Sequence, residues 1–166
     1  MTYSPLPTIE ELEERYFYSV ITGELYYKVN AGRKGTGAIA GSKHSTGYIV
    51  VKFKGKAYRA HRLIWKLVTG EDPPCDIDHK DNIRDNNAWH NLRLATTSQN
   101  QSNSLMRCDN TAGYKGVFKR PSGKYQATIK YQSKSIHLGT YDTAEDAHAA
   151  YVAKATELFG EFANVG

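Results

Sequence analysis

The sequence has few cysteines and no long apolar run. Its 166 residues include two cysteines, Cys75 and Cys108, which form no CxxC pair. A zinc ribbon or zinc knuckle therefore has no ligand set, so we expect no structural zinc and two free thiols. No apolar stretch approaches the roughly 18 residues that a membrane span requires, and residues 1–14 are too acidic and polar for a secretory signal. We therefore expect a soluble, intracellular protein with no membrane partner.

Acidic residues are missing from two long stretches of the chain. Residues 25–70 contain ten Lys and Arg and residues 110–141 contain six, and neither stretch has an Asp or Glu. The acids gather at the N-terminus, in residues 71–85 and in the last helical segment. Two basic blocks around an acidic patch indicate a polyanion-binding protein with a metal site between the blocks. The alternative is a solubilising surface whose charges cluster by chance.

The apolar patterns predict an α+β fold. Thr8 and Glu11 form a capping box for a short helix that carries Ile9, Leu12 and Tyr16. The β-branched and aromatic runs at residues 24–29, 47–53 and 57–60 predict a small antiparallel sheet, and the glycine-rich residues 32–47 predict a loop. Residues 61–69 have helical spacing and stop at Gly70.

Two further groups of elements follow. Residues 77–79 and 91–95 predict short strands, and Thr96 or Thr97 can cap the helix after them. Residues 104–112 are polar with little periodicity and predict a linker. Three strands at residues 114–119, 125–130 and 135–139, then a helix with Ala147, Tyr151, Ala155 and Leu158 on one face, predict a separate three-stranded antiparallel sheet packed on one helix. This second domain would span residues 113–166.

The polar residues around His79 have the chemistry of a phosphodiesterase. Hydrolysis of a phosphodiester requires an activated water and a cation at the phosphate oxygens. His79 has a side-chain pKa suited to a general base. Asp78, at the same strand end, and Asn100, on the following helix, offer oxygen ligands, which favour Mg²⁺ over Zn²⁺.

These residues resemble the HNH endonucleases, in particular their phage and intron-encoded homing branch. The matching residues are Asp78-His79, Asn86-Asn87, Asn91-Leu92-Arg93 and Asn100, with residues 60–65 upstream, and the similarity spans about residues 45–103. The resemblance implies a ββα-metal unit at about residues 75–103 within a catalytic domain of residues 1–103. It implies His79 as general base, Asp78 and Asn100 as metal ligands, and Asn91 as the residue that holds the loop between the strands. The third motif letter is Asn rather than His, which leaves Mn²⁺ beside Mg²⁺ as the metal.

Several neighbouring polar residues have two interpretations. Asn86 and Asn87 are expected to make turns rather than to serve the site. His90 is expected to be an exposed strand neighbour, with a backup ligand as the alternative. His61, next to Arg62, could hold the scaffold or contact a phosphate, and the sequence does not choose. Asp81 and Asp85 are expected to cap the loop.

The C-terminal part resembles the Apetala/ethylene-response-factor DNA-binding domain. The match covers about residues 112–164 and includes residues 114–117, 138–141 and 143–147. It implies a sheet that enters the DNA major groove. Carried over by position, the DNA contacts are Lys115, Arg120, Lys130 and His137. Phe118, Ser122, Thr128 and Ser135 depart from the residues usual in that family, so its GC-rich target does not transfer.

Together these features predict a site-directed DNA endonuclease of the homing type, carried by a phage and acting in the bacterial host. Its partner would be double-stranded DNA, and its products would carry 5′-phosphate and 3′-hydroxyl ends. One active site per chain predicts nicking by a monomer or weak dimer. The first alternative is a non-catalytic DNA-binding regulator on an inactive HNH scaffold. The second is an RNA-binding or RNA-cutting protein, which the narrow major groove of A-form RNA disfavours.

Overall fold

A computed structural model describes residues 5–166. The first four positions of the predicted catalytic domain lie outside the described residues. The chain forms two compact units, one ending at Leu94 and one beginning at Ala95. Within the described part, no helix is long and apolar enough to cross a membrane. The mixture of helices with small antiparallel sheets confirms the predicted α+β class.

The first unit contains two helices and three small sheets. Its elements are α1 (Ile9–Arg15), β1 (Tyr16–Ser19), β2 (Glu24–Tyr27), β3 (Ser42–Lys43), β4 (Ile49–Phe53), β5 (Lys56–Arg59), α2 (Ala60–Thr69), β6 (Asp76–His79), a 3-10 turn (Trp89–Asn91) and β7 (Leu92–Ala95). The β1 and β2 strands form an antiparallel hairpin, and β3, β4 and β5 form an antiparallel sheet in that order. The β6 and β7 strands pair with each other.

The start of the chain confirms one prediction and corrects another. Thr8 and Glu11 make both hydrogen bonds of the capping box at the start of α1. The sequence pattern placed Tyr16 in the helix, but in the structure Tyr16 lies outside it. It has the extended φ and ψ angles of −126° and 149° and begins β1, opposite Tyr27. Burial of its ring in the core outweighs the helical spacing of the sequence.

The core of the first unit contains residues from both helices and from all three small sheets. It includes Leu12, Tyr16, Leu25, Val51, Phe53, Leu63, Ile64, Ile77 and Leu92. The α2 helix buries one face in this core and ends at Gly70, whose φ of 81° suits glycine. Since Ile77 anchors β6 in the core, the two residues after it are held at the end of a rigid strand.

The second unit is a three-stranded sheet with helices. Its elements are α3 (Thr97–Asn103), β8 (Val117–Lys119), β9 (Tyr125–Tyr131), β10 (Lys134–Tyr141), α4 (Ala144–Phe159) and a 3-10 turn (Gly160–Phe162). The antiparallel strand order is β10-β9-β8. The helix after β7, which the sequence grouped with the catalytic domain, lies in this unit by its contacts. The functional boundary at residue 103 and the linker at 104–112 stay predictions.

The predicted apolar face of α4 needs one change. Ala147, Tyr151 and Ala155 are buried, whereas Leu158 is half-buried and Phe159 takes the buried position at the helix end. Gly116 packs against this face, and a Cβ atom there would lie 2.1 Å from the Tyr151 ring. The close approach of strand and helix therefore requires glycine at this position.

Candidate active site

Strand β6 delivers the two central residues of the candidate site. Asp78 and His79 are each 4% exposed. Since neighbouring side chains of a strand point to opposite sides, the two have different partners. Asp78 Oδ2 accepts a hydrogen bond from Arg93 Nε of β7 at 2.9 Å. His79 Nε2 lies 3.0 Å from the side-chain oxygen of Asn87.

Asn91 holds the loop between β6 and β7. Its Nδ2 donates to Asp81 Oδ1 at 2.9 Å and to the carbonyl of Asn86 at 2.8 Å. Its Oδ1 accepts from the Asp81 N–H at 3.1 Å, and its carbonyl accepts from the Lys80 N–H at 3.0 Å. One buried amide therefore bonds to both ends of the loop that follows His79. Asp81 stabilises the same loop from within, because its side chain also accepts a hydrogen bond from the Ile83 N–H.

Asn87 is the site residue that sequence analysis missed. Its side chain is 5% exposed and faces His79, while its carbonyl accepts from the Tyr18 hydroxyl at 3.0 Å. The turn role expected for the pair suits Asn86, which bonds to Asp81 at 2.6 Å. No local pattern distinguishes the two asparagines, because the difference arises from which side chain the fold buries.

Three rings meet beside the catalytic candidate. The ring centroids of His61 and His79 lie 5.1 Å apart, nearly edge to face. Tyr48 lies 5.3 Å from His61 and 5.9 Å from His79. Two guanidinium groups cover Tyr48, with Arg59 at 4.4 Å and Arg84 at 5.1 Å from its centroid. The cluster encloses the His79 imidazole with flat rings and places positive charge around its outer side.

The remaining candidates of the first unit lie in different surroundings. His61 is 3% exposed and packs against the rings of Tyr48 and His79, so it contacts the catalytic candidate directly. Arg62 is also buried, with Nη1 3.5 Å from the carbonyl of Cys75. His90 is exposed, as expected, but it lies in a 3-10 turn rather than in a strand, because β7 begins at Leu92.

Burial favours the neutral form of both imidazoles, because it lowers the pKa of each. Burial lowers the pKa of His79, and the bond to Asn87 and the nearby carboxylates of Asp81 and Asp78 raise it part of the way back. Burial also places the pKa of His61 well below its usual value, and repulsion from His79 adds to that effect. A neutral imidazole is the form that can accept a proton.

The predicted metal ligands have oxygen donors only. Asn100 lies on α3, half-buried, behind a Thr96 cap that accepts from the Gln99 N–H. Across residues 5–166, no three His, Cys, Asp or Glu side chains are grouped so that they could hold a metal ion. One carboxylate with one amide does not form such a group. Their hard oxygen donors fit Mg²⁺ or Mn²⁺, and the several lone pairs of Asp78 make its Arg93 contact compatible with a cation.

The four predicted DNA contacts of the second unit differ in accessibility. Arg120, Lys130 and His137 are exposed. Lys115 is half-buried, and its ammonium donates to the carbonyls of Ser102 and Ser104 at the end of α3. Burial lowers the pKa of Lys115 to about 8. Its contacts are those of a residue that caps a helix rather than of one that meets a phosphate.

Comparisons with known proteins find an HNH endonuclease match in the first part of the chain and several similar proteins. The HNH endonuclease family profile matches residues 58–102. An uncharacterized HNH endonuclease of Acanthamoeba polyphaga mimivirus is 37% identical over 120 residues, 71% of this chain and 62% of that protein. Protein 3.8 of Escherichia phage T7 is 32% identical over 110 residues, 65% of this chain and 90% of that protein. The chain thus spans 62% of the length of the mimivirus relative.

Two further similarities are partial. A solved structure on DNA binding and cleavage by the HNH homing endonuclease I-HmuI is 30% identical, with a TM-score of 0.42, and the match covers 58% of this chain and 55% of that one. An ethylene-responsive transcription factor of Medicago truncatula, ERN3, is 42% identical over 57 residues, 33% of this chain and 24% of that protein. The plant match gives the ethylene-response-factor resemblance limited support.

Proposed function

We propose that this chain, whose residues 58–102 match the HNH endonuclease family, hydrolyses phosphodiester bonds in double-stranded DNA with the help of a divalent metal. The observation that carries the proposal is the buried pair Asp78 and His79 at the end of β6, with the His79 imidazole fixed by Asn87. A carboxylate and an oriented imidazole at one strand end can supply a metal ligand and a base.

The partner of His79 determines which of its nitrogens acts. An amide oxygen only accepts hydrogen bonds, so Asn87 favours the tautomer with the proton on Nε2. Nδ1 then has the lone pair and takes a proton from water. The water oxygen forms a bond to phosphorus, the bond from phosphorus to O3′ breaks, and a proton restores the 3′-hydroxyl. The products are a 5′-phosphate and a 3′-hydroxyl end.

Asp78 would hold the metal, Mg²⁺ or Mn²⁺, and the sequence motif suggests Asn100 as a second ligand. When bound, a divalent cation stabilises the negative charge that develops on the phosphate and the leaving oxygen. Arg93 holds the Asp78 carboxylate from the side of β7 and limits its rotation. Asn91 holds the loop after His79, which keeps the base at the strand end.

The second unit would bind the DNA and direct the cut. Arg120, Lys130 and His137 are its exposed candidate contacts, and Lys115 serves the structure of α3 instead. The viral and phage relatives support a phage-borne setting, and the sequence resemblance to the homing branch suggests a homing-type enzyme. One His79 per chain favours nicking by a monomer, and a double-strand break would need a weak dimer or two successive nicks.

Product analysis with controlled metal tests this function. The protein is incubated with supercoiled plasmid and with parent-genome DNA, in EDTA, Mg²⁺ or Mn²⁺. We expect nicks only with metal, with 5′ ends that ligase joins directly because they carry phosphate. Asp78→Asn should need more metal for the same rate, while His90→Asn, an exposed neighbour, should behave as wild type. Binding without cleavage of either DNA under all conditions would favour the regulator alternative.

A further inference from the structure

The sheet of the second unit has one buried face and one outward face. Val117, Ala127 and Ile129 are buried, in clusters that include residues of α4. Side chains alternate along a strand, so the residues next to them point away from the helix. The strand register extends this outward face across β10. Its members are Phe118, Gln126, Thr128, Lys130, Ser135, His137 and Thr140.

The charges of this unit are separated between its two sides. The sheet segment, residues 117–141, has five Lys and Arg and no Asp or Glu. The α4 helix behind it carries three acids, Glu145, Asp146 and Glu157. A polyanion would therefore approach the sheet and not the helix. A strand ribbon is narrow enough to enter the major groove of B-form DNA, where the base edges differ.

Phe118 is exposed on β8, an edge strand of this polar face. Its side chain is 52% exposed, and it lies directly across from Gln126 in the strand register. A phenyl ring has no hydrogen-bonding group for a guanine or cytosine edge. The 5-methyl group of thymine is the one apolar group that base pairs present in the major groove, and Phe is among the side chains that contact it.

Gln126 has an amide that is already oriented. Its Nε2 donates to His137 Nδ1 on β10 at 3.0 Å. This bond uses one of the two Nε2 hydrogens and fixes the plane of the amide. The second hydrogen and Oε1 are the donor and acceptor that match N7 and the N6 amino group of adenine. The guanine-specific alternative uses Arg or Lys at the base edge. The outward face has no Arg, and its one Lys, Lys130, lies further along β9, opposite Ser135 rather than beside Phe118 and Gln126.

We propose that this outward face recognises A·T base pairs, with Phe118 against a thymine methyl group and Gln126 on the edge of an adenine. The inference rests on the proposed DNA-cleaving function and adds the class of sequence that directs it. Lys130 and the basic turns around the sheet bind phosphates and carry no sequence preference. Phe118 and Gln126 carry the selectivity.

Chemically altered duplexes test the two contacts separately. Binding of the full chain is measured by fluorescence anisotropy in EDTA, so that no cleavage occurs. The probes are equal-length duplexes of alternating A·T, the same with deoxyuridine for thymidine, the same with 7-deazaadenine for adenine, and alternating G·C. Wild type should bind the thymine duplex about fourfold more tightly than the uracil duplex for each contacted methyl group, and about tenfold more tightly than the 7-deazaadenine duplex.

Variants assign each preference to its residue. Phe118→Ala should bind the thymine and uracil duplexes equally, and Gln126→Ala should lose the preference against 7-deazaadenine. Phe17→Ala is the matched control, because Phe17 is 56% exposed on a strand of the first unit, and it should keep both preferences. Unchanged thermal unfolding of Phe118→Ala shows that the sheet is intact.

The outcomes separate this inference from the proposed function. Equal binding of wild type to the thymine, uracil and G·C duplexes overturns the A·T inference and leaves the nuclease intact. A persistent thymine preference in Phe118→Ala also overturns it. Failure to bind any of the duplexes contradicts the proposed function together with the inference.

Discussion

Replacing Asn87 with alanine should slow cleavage without preventing folding. The variant removes the oxygen that lies 3.0 Å from His79 Nε2, in a place where both side chains are at most 5% exposed. A buried donor that loses its partner costs about 1–3 kcal/mol. The imidazole can avoid that cost by rotating to another orientation. The reactive orientation then becomes less populated, by a factor that corresponds to the same free energy. The resulting loss in kcat is about 5- to 150-fold.

The pH dependence of the same variant distinguishes this role from simple packing. His79 acts in its neutral form, so the rate falls as pH decreases through its pKa. Burial lowers that pKa and the Asn87 bond raises it part of the way back. Asn87→Ala should therefore move the acid limb of kcat/KM to lower pH, while the plateau drops. Asn87→Asp, which adds a negative charge, should move the limb to higher pH.

The assay is single-turnover nicking of a plasmid with saturating Mg²⁺ across pH, with DNA affinity measured in parallel. Asn30→Ala is the matched control, because it removes an exposed amide from a loop of the same unit. A wild-type rate and profile for Asn87→Ala would refute the orienting role. A slower variant whose acid limb moves to higher pH would refute the electrostatic argument.

Three further substitutions have distinct expected results. Lys130→Ala should weaken DNA binding and reduce the slope of log affinity against log salt concentration by about 1. Fluorescence anisotropy measures both, and an unchanged slope would remove Lys130 from the contacts. Lys115→Met should leave that slope unchanged and lower the melting temperature, because two main-chain carbonyls lose their donor; a smaller slope would instead make Lys115 a DNA contact. His61→Phe should keep more activity in nicking assays than His61→Ala, because a phenyl ring preserves the packing against His79; equal losses would indicate that the imidazole itself is required.

Local signals in the sequence predicted much of the fold. The capping box at Thr8, the stop at Gly70 and the helix after Thr143 depend on residues close in sequence, and the structure confirms them. Tyr16 was placed in the wrong element, because its ring is needed in a core assembled from distant strands. The strand β9 was also predictable, because one of its faces is buried and its apolar residues therefore alternate with polar ones.

The candidate site was predictable only where a motif marked it. Asp78 and His79 stand out as a pair in the motif. Asn87 lies in a polar, asparagine-rich segment, whose sequence predicts a turn and not a contact with His79. Its contact with His79 depends on how the loop between β6 and β7 folds back. Lys115 is a similar case, because only the folded structure brings its ammonium to the end of α3. Contacts of this kind depend on tertiary packing and leave no periodic trace in the sequence.

The role of His79 is decided by a comparison of wild type with His79→Ala on supercoiled plasmid in Mg²⁺, with DNA binding measured on the same preparations. We expect wild type to convert the plasmid to the nicked form, while His79→Ala binds the DNA with similar affinity and leaves it supercoiled. Nicking by His79→Ala at the wild-type rate would contradict the assignment of His79 as the base.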